Sequence, residues 1–219
     1  MISLGRRSLG MLLAAVLSAC GPAPTTHPPS APGCLPPERA VLGTWSHGTS
    51  AMELRANGYI LRDSLEGTYR WTDPGRIQID VGGTHEAYTL GVSNVVAMLL
   101  VDPDGHGAIW TRLSPAPPTP AVCYDVRGSL VGDWTDGAVV EHFGASGEYR
   151  RGAVRGEWTA TDAGAIELRV GPYVRRHQVA LATPSTLVIV PQALGADDSR
   201  DMLEVLPSEA RIETRLSGP

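Results

Sequence analysis

Three stretches of the chain carry residue types that do chemistry elsewhere, and none has the spacing which that chemistry needs. His85-Glu86 begins like the helical zinc site of metalloproteases, but the position four residues after His85 is Thr89, so the second histidine is missing. Asp102-Pro103-Asp104-Gly105 lacks the later acidic ligands of a calcium loop, and a tight hairpin turn explains it better. Gly91 to Val95 lacks the second glycine of a nucleophile elbow. We therefore predict no metal, no cofactor and no enzyme, although an active site without a sequence motif stays open.

A group of arginines in the second half of the chain is a candidate for binding an anion. Its members are Arg150, Arg151, Arg155, Arg175 and Arg176. They could form one cationic face for an anionic partner such as a lipid headgroup or a polysaccharide. The alternative is a solvated strand face, because all 18 basic residues of the chain are arginine. The net charge of −5 gives no reason to expect nucleic acid, which requires a basic surface.

The chain repeats itself at an offset of 89 residues, and this repeat must position every candidate side chain. Gly43-Thr44-Trp45 returns as Gly132-Asp133-Trp134, and Gly67-Thr68-Tyr69 returns as Gly156-Glu157-Trp158. The same offset relates Cys34 to Cys123. Two copies at a fixed period predict a duplicated module, since a solenoid needs more repeats.

The repeated aromatic residues Trp45, Tyr69, Trp134 and Trp158 have two candidate roles. They could line an apolar pocket inside each module or between the modules, as aromatic side chains do in ligand-binding barrels. They could also simply fill the interior. A module of about 80 residues has little interior space to spare, which favours the packed core.

Short strand patterns joined by tight turns run through both copies. Ile77, Ile79 and Val81 alternate with polar residues, which is typical of a half-buried strand. Seven or so strands per copy predict an all-β fold of two tandem antiparallel meanders, either as two barrels or as one joint sheet. The longest difference between the copies is a polar loop from Gln192 to Asp201. The tail after Pro207 shows no alternation, and a short helix over Ser208 to Leu216 is one reading of it.

The first twenty residues are a targeting segment. Arg6-Arg7 precede an apolar stretch, Leu9 to Leu17, that is too short to span a bilayer. Leu17-Ser18-Ala19-Cys20 resembles a bacterial lipobox, which implies cleavage before Cys20 and attachment of acyl chains such as palmitate. The resemblance implies a lipid-anchored envelope protein. Because Gly21 follows instead of Asp, it implies the outer membrane, facing the periplasm or the outside. An ordinary secretory signal and a twin-arginine signal are the alternatives.

Lipidation of Cys20 leaves Cys34 and Cys123 as a pair in an oxidising compartment. They hold equivalent positions, and equivalent positions near a pseudo-twofold axis meet, so we predict a disulfide between them. Closing a loop of about 90 residues stabilises a fold by roughly 4 to 5 kcal/mol in the chain-entropy model. Two free thiols are the alternative. Neither cysteine has a further ligand at the spacing of a metal site.

The composition then divides the chain into six segments. They are a lipoprotein signal peptide (1–19), a Pro-rich tether (20–37), module one (38–113), a Pro-rich linker (114–122), module two (123–207) and a C-terminal tail (208–219). Pro-rich segments are extended spacers, with no apolar periodicity to build a core.

Both modules resemble the small lipocalin-like domains of bacterial lipoproteins. The matching features are Gly-x-Trp at Trp45 and Trp134, the apolar residues Leu54 and Phe143 four positions before a glycine, and the later Gly-x-aromatic. The resemblance implies small barrels with the tryptophan closing one end, but a fold does not fix a function. We expect a non-enzymatic binding or accessory protein for a small apolar ligand or an envelope component. A structural lipoprotein that binds only protein partners is the alternative, and an enzyme without a recognisable motif is the third.

Overall fold

The computed structural model describes residues 35–93, 95–115, 126–161, 164–192 and 209–216. They form two closed antiparallel barrels of eight strands, one for each copy of the repeat. The predicted all-β fold of two tandem meander modules is therefore confirmed, and two separate barrels replace the option of one joint sheet. The predicted targeting segment, the three cysteines and most of the Gln192 to Asp201 loop lie outside the described residues.

In each barrel every strand pairs with the next along the chain, and the last strand pairs with the first. The first barrel contains helix α1 (Pro37–Ala40) and strands β1 (Gly43–His47), β2 (Ser50–Leu54), β3 (Tyr59–Arg62), β4 (Leu65–Asp73), β5 (Arg76–Val81), β6 (Thr84–Ser93), β7 (Ala97–Val101) and β8 (Gly107–Arg112). The second contains helix α2 (Val126–Ser129) and strands β9 (Gly132–Thr135), β10 (Val140–Phe143), β11 (Glu148–Arg151), β12 (Val154–Ala160), β13 (Ala165–Val170), β14 (Tyr173–Thr183), β15 (Thr186–Pro191) and β16 (Arg211–Arg215).

Alternating side chains explain why these strands curl around a core. In β5 the side chains of Ile77, Ile79 and Val81 are buried, and the residues between them face outward or lie half-buried. Eight strands enclose an interior just wide enough for side chains to fill. Closing the sheet also pairs its first and last strands, whose free edges would otherwise invite association with other chains.

One end of the first barrel is closed by a tryptophan, an arginine and helix α1, and we call this the plugged end. Trp45 is completely buried, and its indole Nε1 donates to the carbonyl oxygen of Val41 at 2.7 Å. The guanidinium of Arg112 lies 4.1 Å from the Trp45 ring centroid. Arg112 also donates to the carbonyl oxygens of Ala40 and Leu42, so it fixes the helix and the strand start together.

The second barrel repeats these contacts atom for atom at its own plugged end. Trp134 Nε1 donates to the carbonyl oxygen of Leu130 at 2.8 Å, and Arg215 lies 4.3 Å from the Trp134 centroid. Arg215 donates to the carbonyl oxygens of Ser129 and Val131. In both copies the repeated tryptophan therefore closes one end of the barrel.

The barrels pack side by side through equivalent hairpins, β6–β7 of the first and β14–β15 of the second. A Cβ added to Gly91 would lie 2.7 Å from the Cβ of Ala180, and these two residues are equivalent in the repeat. The apolar contact between the barrels is formed by Leu99, Val101, Ala180, Ala182, Val188 and Val190. Small residues at the centre allow the two sheets to approach closely.

Contacts across this interface come in matched pairs, as a pseudo-twofold axis requires. Gly75 lies against Ala182, and the equivalent Gly164 lies against Ser93. The Ser93 hydroxyl donates to the carbonyl oxygen of Gly164 at 3.1 Å and accepts from Gln178 Nε2 at 3.0 Å. Gly75 and Gly164 sit in turns at the plugged ends, so both plugged ends lie on the same side of the pair.

The C-terminal tail corrects one expectation. Residues 211–215 form strand β16, which pairs with both β15 and β9 and closes the second barrel. A short helix over Ser208 to Leu216 is therefore wrong, and the tail belongs to module two. Its short alternation, with Arg211 and Glu213 buried, escaped recognition because the inward residues are charged rather than apolar.

Candidate functional site

The interior of the second barrel contains buried charged and polar side chains, which we call the ionic cluster: Glu141, Tyr149, Arg211 and Glu213. Glu141 and Glu213 are at most 1% exposed, and Arg211 is 8% exposed. They reach the interior from β10, β11 and β16, where the alternation of each strand turns them inward. Buried charges are costly unless they are paired and hydrogen-bonded, so their geometry decides what they can do.

The first barrel serves as an internal comparison for this cluster. At the 89-residue offset, Glu141 and Tyr149 correspond to Met52 and Ile60. Strand β16 matches β8 at an offset of 103, fixed by the equivalent plug arginines, so Arg211 and Glu213 correspond to other first-barrel residues. These are Ala108 and Trp110. Because the first barrel closes with apolar side chains at all four positions, the fold does not require the ionic cluster.

Arg211 is the centre of the cluster and binds both glutamates. Its Nη2 donates to both carboxylate oxygens of Glu141 at 2.8 Å. Its Nε donates to Glu213 Oε1 at 2.7 Å and to Glu141 Oε2 at 3.1 Å. The Tyr149 hydroxyl donates to Glu141 Oε1. Within the described residues, Arg211 Nη1 and Glu213 Oε2 are buried without a hydrogen bond, so the polar capacity of the cluster is not saturated.

The pKa values of the two glutamates are pushed apart. Burial, together with the neighbouring Glu141 carboxylate, raises the pKa of Glu213 to about 9 although Arg211 acts against it. Burial alone would raise the pKa of Glu141, but the charge of Arg211 and the hydrogen bond from Tyr149 lower it. At neutral pH the cluster therefore holds one protonated glutamic acid, one glutamate and one guanidinium, and its charges balance.

Two carboxyl groups with separated pKa values can act as an acid and a base when a substrate reaches them. Here both side chains are almost completely buried, so a substrate has no access to them in this conformation. Networks of structural ion pairs also shift pKa values. The arrangement therefore supports conformational control more directly than catalysis, and a ligand, like a substrate, would reach the cluster only after the barrel opens.

The ionic cluster lies where the last strand of the second barrel, β16, is held against β9 and β10 by side-chain contacts rather than by backbone pairing. The register between β16 and β9 covers Thr214↔Thr135 and Arg215↔Trp134. Farther from the plugged end, Arg211 crosses the gap by binding Glu141 on β10, the strand beyond β9. We call this stretch of β16 against β9 and β10 the seam of the second barrel.

Other charged side chains share this half of the interior. Arg175 and His177 on β14 are 5% and 0% exposed. Arg151 at the end of β11 pairs with Asp136, with Arg151 Nη2 3.1 Å from Asp136 Oδ2. The first barrel has a smaller and half-buried counterpart, in which hydrogen bonds from Arg62 lower the pKa of Glu86.

The four repeated aromatics belong to the packed cores. The hydroxyl of Tyr69 donates to the carbonyl oxygen of Arg55 at 2.6 Å, and Nε1 of Trp158 donates to the equivalent carbonyl of Gly144 at 2.9 Å. Trp45 and Trp134 form the plugs, and all four are at most 8% exposed. Of the two roles left open by the sequence, the structure places them in the core.

The five arginines proposed as one anion-binding face do not share a face. Arg150 and Arg155 lie opposite each other on the outer surface of β11 and β12. Arg176 also points outward, but it forms an ion pair with Glu167 at 2.6 Å. Arg151 and Arg175 face the interior instead. The single face is therefore wrong, because neighbouring residues of a strand point to opposite sides of the sheet; anion binding by Arg150 and Arg155 stays a prediction.

The other motifs lie on a strand and in a hairpin turn. His85 lies on strand β6 and contacts Asp80 through Nδ1 at 2.5 Å, so no zinc-binding helix is present at this position. Asp102, Asp104 and His106 lie close together in the hairpin between β7 and β8. Asp102 accepts hydrogen bonds there from the backbone N–H groups of Asp104 and His106, as expected of a tight turn.

Comparison with known proteins gives no family for this chain. The sequence matches no protein-family model, and neither the curated proteins nor the solved structures contain a match. Among the described residues, no helix is long and apolar enough to cross a membrane.

Sequence reasoning missed the ionic cluster, although part of its signal was readable. Aligning the copies places Glu141 at an inward position that Met52 occupies in the first copy. An acidic residue in place of an apolar one on the core face of a strand marks a buried charge. Arg211 and Glu213 gave no such signal, because the copies lose their common offset before β16.

Proposed function

We propose that this protein is a lipid-anchored component of a bacterial envelope, with its tandem barrels acting as a non-enzymatic binding or accessory module. The lipobox-like Leu17-Ser18-Ala19-Cys20 supports the anchor, and its attachment to the outer membrane is part of the proposal. In this proposal the second barrel binds the ligand, and the first barrel packs against the second barrel as a scaffold.

The observation that carries the binding function is the contrast between the two barrel interiors. The second barrel buries Glu141, Arg211 and Glu213 where the first packs apolar side chains. Buried polar networks that a fold does not need reduce stability more often than they add to it. Because these buried charges occur in the second barrel and not at the equivalent positions of the first, we infer a ligand with a polar or charged group. The sequence led us to expect a purely apolar ligand instead.

Native mass spectrometry of the protein extracted from envelopes tests this function. We expect a co-purifying small molecule on the wild-type chain and its loss from the variant Glu141→Met/Arg211→Ala/Glu213→Trp, which installs the first-barrel residues. Glu86→Gln in the first barrel is the matched control and should keep the molecule. A bare mass for the wild-type chain would contradict the binding function.

A second candidate is assembly with a protein partner, favoured by apolar side chains near the plugged ends. Leu113 and Leu216 are equivalent residues that follow the plug arginines, and they are 60% and 39% exposed. Val96 is exposed beside the plug of the first barrel. A defined partner in the same mass spectra, lost in Leu113→Ser/Leu216→Ser, would support this role.

The anchor is tested separately from the ligand. Cys20→Ser should move the protein from the membrane to the soluble fraction, because it removes the residue that receives the lipid. Cys123→Ser is the matched control and should leave it in the membrane fraction. Membrane association of the Cys20→Ser protein would contradict lipid anchoring at this residue.

A further inference from the structure

The seam of the second barrel and the equivalent closure of the first barrel are the two shortest strand pairings among the described residues. On one side, β16 pairs with β15 over Arg211 to Thr214. On the other, its register with β9 covers only two residue pairs, both near the plugged end. Beyond them the contact between Arg211 and Glu141 holds the seam, so the charge state of the ionic cluster affects its closure directly.

The first barrel closes the same place without an ionisable pair. Its register between β1 and β8 is equally short, with Trp45↔Arg112 and Ser46↔Thr111. Beyond it, His47 Nδ1 lies 2.9 Å from the carbonyl oxygen of Ile109, and the His47 ring lies 5.5 Å from the Trp110 ring. Trp110 occupies the position equivalent to Glu213, so an aromatic contact stands where the second barrel has its acid.

We propose that the ionic cluster is a proton-controlled latch, closed while Glu141 and Glu213 share one proton around Arg211 and opened at the seam when that proton is lost. Both carboxyl groups accept from the same Nε–H of Arg211. Two buried carboxyl groups that close to each other cannot both ionise without strong repulsion. The single guanidinium of Arg211 balances the charge of only one of the two carboxyl groups that it contacts.

The neighbouring groups do not replace this proton. Burial raises the pKa of Tyr149 further above its ordinary value, so its hydroxyl stays protonated. The charged and titratable groups that face the cluster come from β10, β11, β14, β16 and the turn after β9. They are Glu141, Tyr149, Arg151, Tyr173, Arg175, His177, Arg211, Glu213 and Asp136. The inward residues of β12, β13 and β15 are apolar, including Trp158, Leu168 and Ile189.

The sign of the effect follows from the raised pKa of Glu213. An opened seam exposes Glu213 to water, where its pKa returns toward its ordinary value near 4.3, so opening releases a proton at every pH between that value and about 9. The contribution of the shared proton to closure is complete at low pH and is lost as pH rises through this range. The opening equilibrium should rise about tenfold for each pH unit between pH 7 and pH 9.

Hydrogen exchange of the full chain, corrected for the intrinsic chemical rate, tests the latch. We expect protection of the amides of Arg211 to Glu213 to fall about tenfold per pH unit between pH 7 and pH 9 and to level off above. Strands β1 and β8 of the first barrel should show no such slope.

Glu213→Gln is the decisive variant, because its amide keeps the shape of the protonated acid and cannot lose the proton. Its protection should be the same at pH 7 and pH 9. If this variant does not fold, Glu141→Met/Arg211→Ala/Glu213→Trp removes the titrating groups and should also be flat. A slope that persists in either variant, or an equal slope in both barrels, would overturn the latch. Neither result depends on whether the protein binds a ligand.

Discussion

Among single side chains, Arg211 controls most of the buried charge of the second barrel. Its guanidinium is almost fully buried and contacts two carboxyl groups. Breaking such a set costs far more than replacing all of it with apolar residues, because removing one member leaves uncompensated charges in the interior. Comparing the two kinds of substitution therefore shows whether the cluster stabilises the fold or has another role.

Arg211→Ala should therefore lower the free energy of unfolding of the second barrel by about 3 to 5 kcal/mol. The variant Glu141→Met/Arg211→Ala/Glu213→Trp should recover most of this loss, because it installs the residues that the first barrel packs at the same positions. Urea unfolding followed by tryptophan fluorescence measures both. A triple variant that is less stable than Arg211→Ala alone would show that the cluster is a structural requirement of the second barrel.

The residues that the sequence predicted correctly are those whose environment repeats. Trp45 and Trp134 were recognised as one position used twice, and their plug contacts agree. Adjacent arginines such as Arg175 and Arg176 suggest one cationic face, but neighbouring residues of a strand point to opposite sides of the sheet. The ionic cluster cannot be derived from the sequence, because Arg211 and Glu213 reach Glu141 only when β16 pairs with β9 and closes the barrel.

Helices α1 and α2 are elements with almost no stability of their own. Each has four residues, far below the length at which a helix is stable alone. Their position depends on the plug arginines, whose guanidinium groups reach two backbone carbonyls at the helix end and strand start and stack on an indole ring. A lysine cannot reproduce this, since its single ammonium group lacks the planar fork of donors.

Arg112→Lys should consequently destabilise the first barrel by about 1.5 to 3 kcal/mol, the range for losing a hydrogen bond that involves a charged group. Exchange of the amides near α1 should increase more than exchange in β4 or β5. Arg70→Lys on the exposed face of β4 is the matched control and should change stability by less than about 0.5 kcal/mol. Equal effects of the two substitutions would mean that the plug does not need the guanidinium.

The strands show which elements a sequence predicts well. Strands β5 and β13 have an apolar alternation that the sequence shows directly, and their turns carry glycines with positive φ, such as Gly75 and Gly164. Strand β16 has no such alternation because its inward residues are Arg211 and Glu213. A strand whose core face is charged has no hydrophobic period to detect, whatever its position in the barrel.

The relation between the two barrels follows from small residues at the pseudo-twofold axis. Gly91→Val should separate the barrels without unfolding them, because the new side chain would meet Ala180 from the facing hairpin. Small-angle scattering should show a larger radius of gyration, with each barrel keeping its own exchange protection. Ala87→Val, on the exposed part of the same strand β6, is the matched control and should leave the dimensions unchanged. An unchanged radius in Gly91→Val would place the contact elsewhere.

The same axis gives the predicted disulfide a structural argument, although both cysteines lie outside the described residues. Helix α1 contacts β6 and helix α2 contacts β14, so each helix stands beside an interface strand, and both lie at plugged ends on the same side of the pair. Cys34 comes three residues before α1, and Cys123 comes three residues before α2. Non-reducing peptide mapping should find them linked, and free thiols at both would contradict the bridge.

Cys34→Ser/Cys123→Ser should lower the unfolding free energy by up to about 4 to 5 kcal/mol. The loss should be smaller in the separated Gly91→Val protein, where the bridge no longer acts together with a packed interface.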